Sequence, residues 1–231
     1  MTRLAAGVSG SAFALVLLVG EMSAATLPVD LSRYRDFHFG MNLPAVAKQT
    51  GVSLSEAKVI HSRPALIQEL AWRPQSLGWS SRTEPVQEVV FSFYNGELFQ
   101  IAVTYDRNET EGLTNDDIVA TFSATYGMAV KPPAPLKPLE GPFGDQQEVL
   151  ARWQDPQHRL DLLRSSYGPT FRLIGVLSSL DAQAQSAILE AKRLDEQEAP
   201  QRDAARLASE EEAAKVRDEK ARLVNKPNFR P

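Results

Sequence analysis

The twenty residues from Val86 to Tyr105 read VQEVVFSFYNGELFQIAVTY. Asn95-Gly96 stands at their centre, the pair that suits a type I′ turn because both central residues need positive φ. Apolar, aromatic and β-branched residues dominate both flanks, so the stretch predicts a β-hairpin. Pairing across a two-residue turn sets Phe93 opposite Leu98, Ser92 opposite Phe99, Val90 opposite Ile101 and Val89 opposite Ala102. One face then carries Val89, Phe91, Phe93, Leu98 and Ala102. The other carries Val90, Phe99, Ile101, Val103 and Tyr105. Both faces are apolar, which predicts a hairpin central to a sheet and covered on both sides.

Upstream, Tyr34 to Phe39 alternates aromatic with polar residues and predicts a half-buried strand. Asn42 is placed to cap a short helix, Leu43 to Gln49, with Pro44 in its first turn and Gly51 ending it. Ser53 and Glu56 match a capping box. The segment Ala57 to Pro74 predicts two strands, and Gln75 to Pro85, with Trp79 inside it, predicts a loop. Downstream, Thr114 and Asp117 open a helix whose Ile118, Val119, Phe122 and Tyr126 share one face, and Gly127 closes it. Lys131 to Pro142 is rich in proline and predicts an extended connector. Three strands follow, Val149 to Trp153, Arg159 to Arg164 and Phe171 to Leu177, the first two joined by a turn at Asp155 to His158.

From Ser178 the pattern becomes helical. Leu180, Ala184, Ala187, Ile188, Ala191 and Leu194 make an apolar stripe that predicts docking on the body. Pro200 is expected to interrupt this helix. Beyond it the residues are almost all Ala and charged, with Glu211–Lys215, Lys215–Glu219 and Asp218–Arg222 at the i,i+4 separation that supports a solvated helix. Leu207, Ala214 and Ala221 trace a faint heptad, so a coiled coil is a possible use of this segment. The expected fold class is α+β: a single antiparallel sheet with one or two short helices packed on it and an extended C-terminal helix. The expected division is a signal peptide (1–25), a globular domain (26–179), a docked amphipathic helix (180–199) and a charged helical tail with a disordered end (200–231).

The N-terminus predicts export. Arg3 precedes an apolar run from Ala12 to Gly20, and Ser23-Ala24-Ala25 offers the small residues that a signal peptidase reads. The run is short for a bilayer span. The expected address is periplasmic or secreted, with no membrane anchor after cleavage. The chain of 231 residues has no cysteine. Disulfide staples, a lipidated N-terminal cysteine and thiol chemistry are thereby excluded. The net charge is −4. No basic patch is interleaved with aromatics, so nucleic acid is not an expected partner.

Reactive groups are sparse. His38, His61 and His158 fall in different predicted elements, and none pairs with another at metal-ligand spacing. Asp116 and Asp117 open a helix, where the dipole and capping account for them. Gly141 to Gly144 lacks the lysine of a phosphate loop. No catalytic residue, metal ligand or cofactor is assigned. His61, Arg63, Trp72, Arg73 and Trp79 combine imidazole, guanidinium and indole groups and make the candidate binding surface, since Trp and Arg anchor interfaces. Core packing of Trp72 and sheet cover by Trp79 would account for the same residues.

Phe39-Gly40-Met41-Asn42-Leu43, with Val46 and Gly51, resembles the opening of β-lactamase-inhibitor-like periplasmic modules. It is also similar to the opening of the SmpA/OmlA outer-membrane assembly lipoproteins. The resemblance implies a short helix running to a glycine, then an antiparallel sheet. The missing cysteine departs from the lipoprotein pattern. Phe91 to Phe99, with Thr110 to Thr114, looks like exported bacterial proteins of unassigned function. No functional residue carries over from these families.

The expected function is a non-catalytic periplasmic binding or adapter protein that works through contacts with an envelope protein. A periplasmic hydrolase is the alternative. It would need at least two of His38, His61, Asp106, Asp116 and Asp117 to meet in a pocket. An inhibitor of an envelope enzyme is a third possibility, by analogy of fold.

Overall fold

The computed structural model describes residues 29–74, 85–130, 139–140, 146–165, 170–228 and 230. The architecture is α+β. In chain order the elements are β1 (Arg33–Tyr34), β2 (Phe37–His38), α1 (Leu43–Thr50), β3 (Lys58–His61), β4 (Ile67–Trp72), β5 (Val86–Tyr94) and β6 (Glu97–Tyr105). Then come α2 (Asn115–Tyr126), β7 (Leu139–Glu140), β8 (Gln146–Gln154), β9 (His158–Ser165), β10 (Phe171–Leu177) and α3 (Ser178–Asn225). Among the described residues eight strands form one sheet in the order β3-β4-β5-β6-β10-β9-β8-β7. Every neighbouring pair is antiparallel.

The hairpin β5–β6 is present, and Asn95 (φ 49°) and Gly96 (φ 89°) both sit in the left-handed region. The turn is tied to β4: the Asn95 amide donates to the Leu66 carbonyl at 2.8 Å, and Asn95 Oδ1 accepts from the Leu66 amide at 3.0 Å. Phe93 pairs with Leu98 as expected, but the register then shifts by one residue. Ser92 pairs with Gln100, Phe91 with Ile101 and Val89 with Val103. The extra residue in β6 is a bulge, and a one-residue slip inverts the facing of everything beyond it. Ile101 and Val103 therefore join Leu98 on one face, and the face assignment read from the simple hairpin is corrected. That face gathers Val89, Phe91, Phe93, Leu98, Ile101 and Val103, none more than 1% exposed. The opposite face keeps Phe99 and gains Ala102, each 2% exposed.

Helices α1 and α2 pack on the first face. Asn42 Oδ1 accepts from the Ala45 amide at 2.9 Å to cap α1. Thr114 and Asp117 cap α2 reciprocally. Trp153 of β8 lies beside Phe122 and Tyr126 of α2, with centroids 5.9 and 6.3 Å apart. Its indole Nε1 donates to the Gly127 carbonyl at 2.9 Å. Gly127 has φ 76°, and a Cβ there would meet Val29 Cγ2 at 2.8 Å, so glycine suits this helix end twice over.

Four further expectations change. Tyr34 to Phe39 is not one strand: Arg35 takes φ 54° and folds it into the two-residue ribbon β1–β2. Tyr34 and Phe37 are buried and lie three apart, a spacing that departs from the two-residue period of a strand. Leu139–Glu140, read as connector, pairs with β8 as a short edge strand. Helix α3 is continuous over 48 residues with Pro200 inside it, a length of about 70 Å at the rise of an α-helix. Residues Lys226–Asn228 continue it as a 3-10 turn where a disordered end was expected. The signal segment, the Trp79 loop and most of the proline-rich connector lie outside the described residues.

Candidate functional site

Helix α3 divides into a docked half and a projecting half. Its start is fixed to the sheet, since the Ser178 amide donates to the Gln157 carbonyl at 2.8 Å. From there it crosses the second face. Ala184, fully buried, packs with Ile67 of β4 and Phe99 of β6, and Leu180, Ile188 and Tyr94 surround them. Ala187 and Ala191 are also buried. The stripe read from the sequence is the docking surface, and its small residues let the helix lie close to the strands.

Charge holds both ends of this docked half. Asp161 of β9 is 7% exposed. It accepts from Arg152 of β8 through Nε (2.5 Å) and Nη2 (3.0 Å). Arg159 Nε stands 3.2 Å from Asp161, and its Nη2 reaches Asp181 in the first turn of α3 at 3.5 Å. A chain of charges thus runs from β8 through β9 into the helix. Asp181 also faces the positive end of the helix dipole. At the far end, Arg63 in the β3–β4 turn grips Glu198 bidentately, with Nη1 to Oε1 at 2.7 Å and Nη2 to Oε2 closer still. Asp195 lies 3.9 Å from Arg63 and 3.3 Å from Arg202. The hydrogen bond to Arg63 holds the Glu198 carboxyl below its ordinary range and raises the guanidinium. This clamp is solvent-exposed and adds little stability. Its effect is geometric, because it sets where the helix leaves the body.

Among the described residues singled out from the sequence, Arg63 and Trp72 turn to opposite faces of the sheet. Arg63 is committed to α3. Trp72, at the end of β4, is half-buried against Phe37 on the opposite face, with centroids 5.7 Å apart, and its indole Nε1 is buried without a hydrogen bond. Arg73 pairs with Glu88 at 2.5 Å. His61 ends the edge strand β3, half-buried, in register with Ile67. Trp79 lies outside the described residues.

Apart from the half-buried His61, the groups named for catalysis each serve a local role or lie exposed. Asp117 caps α2, and the Thr114 hydroxyl and amide hold its carboxyl low. Asp106 Oδ1 accepts from the Asn108 amide at 2.7 Å in the turn after β6. Asp116 and His38 are exposed. His158 is buried and stacks on Phe39 at 5.6 Å, with Nδ1 3.0 Å from Asp155 Oδ2. Burial alone would raise the Asp155 carboxyl, but the Gln157 and His158 amides and the His158 ring together draw it down. Among the described residues no three His, Asp or Glu side chains are placed to share a metal ion.

The first face is equally closed. Burial raises Tyr105 well above the ordinary phenol range and pushes Tyr126 up to about 12, so these hydroxyls stay protonated. The crevice over the sheet lined by Tyr34, Phe39, Leu160 and Gly175 admits no water-sized sphere.

The projecting half differs in every respect. From Pro200 to Asn225 every residue is exposed except Ala214, which is half-buried. These residues extend about 40 Å past the clamp. The sequence announced their polarity, but Glu198 and Asp195 escaped notice as partners of Arg63. The network at Asp161 becomes readable only once the register sets Arg152 opposite it. No family model, curated protein or solved structure matches this chain. No helix among the described residues is long and apolar enough to cross a membrane.

Proposed function

We propose that the protein is a non-catalytic adapter of the bacterial periplasm, exported by its N-terminal segment, which binds an envelope protein through α3. The observation that carries this reading is the helix itself. Its first half is anchored by a buried charge network and an alanine stripe, and its second half buries none of its residues fully. A helix that is polar all round and far longer than its docking site is suited to span toward something else. The clamp at Arg63 gives that span a fixed exit. The missing cysteines fit a released protein rather than a lipidated one.

In-cell crosslinking of the exported protein, read by mass spectrometry, tests this. The full chain should crosslink to an envelope protein through residues beyond Pro200. Deleting residues 201–231 should abolish the crosslink and leave the unfolding midpoint of the body unchanged. A chain that yields no crosslinked partner, or one whose crosslinks survive the deletion, would overturn the reading.

A further inference from the structure

Past the clamp, the charge of α3 reverses along its length. From Asp195 to Glu212 there are seven acids and two arginines, whereas from Ala213 to Arg230 there are six basic residues and two acids, a side-chain charge of +4. In the acidic stretch the arginines are engaged: Arg206 reaches both Asp203 (3.5 Å) and Glu210 (3.0 Å). In the basic stretch Arg217 stands 3.9 Å from Asp218, and among the described residues Lys215, Lys220, Arg222 and Lys226 form no ion pair. The expected pairs Glu211–Lys215, Lys215–Glu219 and Asp218–Arg222 stay open. The cationic end is therefore not neutralised within the chain.

The same stretch carries an apolar stripe. Val216 is 44% exposed, Leu223 69% and Val224 65%. At 3.6 residues per turn these side chains and Ala213 fall within an arc of about 100°. Lys220 lies in the middle of that arc, Arg217 borders it on one side and Glu219 on the other. The position of Lys220 decides between occupants. A protein groove deep enough for the stripe would bury the ammonium, which is costly without a partner. At a lipid surface its stem lies along the apolar layer while the ammonium turns up to the headgroups.

We propose that residues 213–228 are an interfacial segment that rests on an anionic phospholipid surface, with Val216, Leu223 and Val224 dipping below the headgroups and the basic residues meeting phosphate. Low overall hydrophobicity, a narrow apolar face and a net positive charge are the features of such helices. The inference rests on the reading of α3 as the contact arm, and leaves the acidic part of the arm for the protein partner. One partner chain and one membrane would then be held at a distance set by the helix.

The test is co-sedimentation of the protein recovered from exporting cells. The vesicles are phosphatidylglycerol and phosphatidylcholine in equal parts, or phosphatidylcholine alone. Binding should appear on the mixed vesicles and weaken at high salt. Leu223→Asp and Lys220→Glu should each weaken it at least about tenfold. Both positions are exposed, so unfolding of the body should not change, and far-UV circular dichroism reports the helix. Failure to bind, equal binding to the neutral vesicles, or full binding by both variants would overturn the proposal. Crosslinking of the same variants separates the two claims. Loss of protein crosslinks without vesicle binding assigns the stripe to a protein and overturns the lipid surface alone. Vesicle binding without any protein crosslink upholds this proposal and overturns the adapter reading.

Discussion

Residues 178–198 and 200–225 belong to one helix, yet they are held by different forces. The first half buries Ala184, Ala187 and Ala191 and is tied at both ends by ions, at Asp181 and at Glu198. The second half contains no fully buried residue. Docking supplies most helical stability in proteins, and an isolated helix must rely on propensity and local ion pairs. Alanine serves both halves. In the first its small size permits close approach to Phe99, and in the second its high propensity offsets the absence of packing. The lesson is that helix continuity does not imply a common cause. Pro200 stands near the boundary, where the loss of one amide hydrogen bond is tolerated because nothing is packed against it.

Four substitutions would break or sharpen this contrast. Phe99→Ala should have the largest effect, since it removes the aromatic floor of the docked half. A loss of about 4 kcal/mol is expected by urea denaturation. Hydrogen exchange should rise across 178–194 and stay the same beyond 205. Asp161→Asn should cost about 3 kcal/mol, because it strands the Arg152 guanidinium in a mostly buried setting, whereas Arg159 keeps Asp181. A loss smaller than about 1 kcal/mol would show that solvent already screens the network.

Pro200→Ala should leave the denaturation midpoint of the body in place. It should increase the helical signal of the projecting half, because alanine restores the missing hydrogen bond in an exposed helix. A shift of the whole transition would mean that the two halves unfold together. Arg63→Gln should be the mildest, confined to faster exchange at 195–200 with no change in midpoint. The same end point should be reached by acid. Glu198 is held low by Arg63, so the clamp is complete above the unfolded carboxylate pKa. It is lost as pH falls through the folded value. Exchange that is insensitive to pH in the wild type would show that the clamp is absent in solution.

How much was readable beforehand follows from the range of each interaction. The turn at Asn95-Gly96, the caps at Asn42 and Thr114 and the stripe from Leu180 to Ala191 are local patterns, and each stands where it was expected. The bulge in β6 was hidden because it answers to the strands on both sides, not to the turn. The candidate surface at His61, Arg63, Trp72, Arg73 and Trp79 was chosen by residue type. Types do not reveal that Arg63 meets a glutamate 135 positions away, or that Trp72 faces the other side of the sheet.

By itself, then, the sequence determined the local order of strands and helices, the lack of any thiol and the polarity of the long C-terminal helix. These depend on backbone preference and hydrophobic period, which act over a few residues. The tertiary structure alone decided which faces of the central hairpin joined, where α3 left the sheet and which charges were consumed in holding it. Those outcomes depend on side chains distant in sequence that compete for the same partners, and that competition is settled only when the chain is folded.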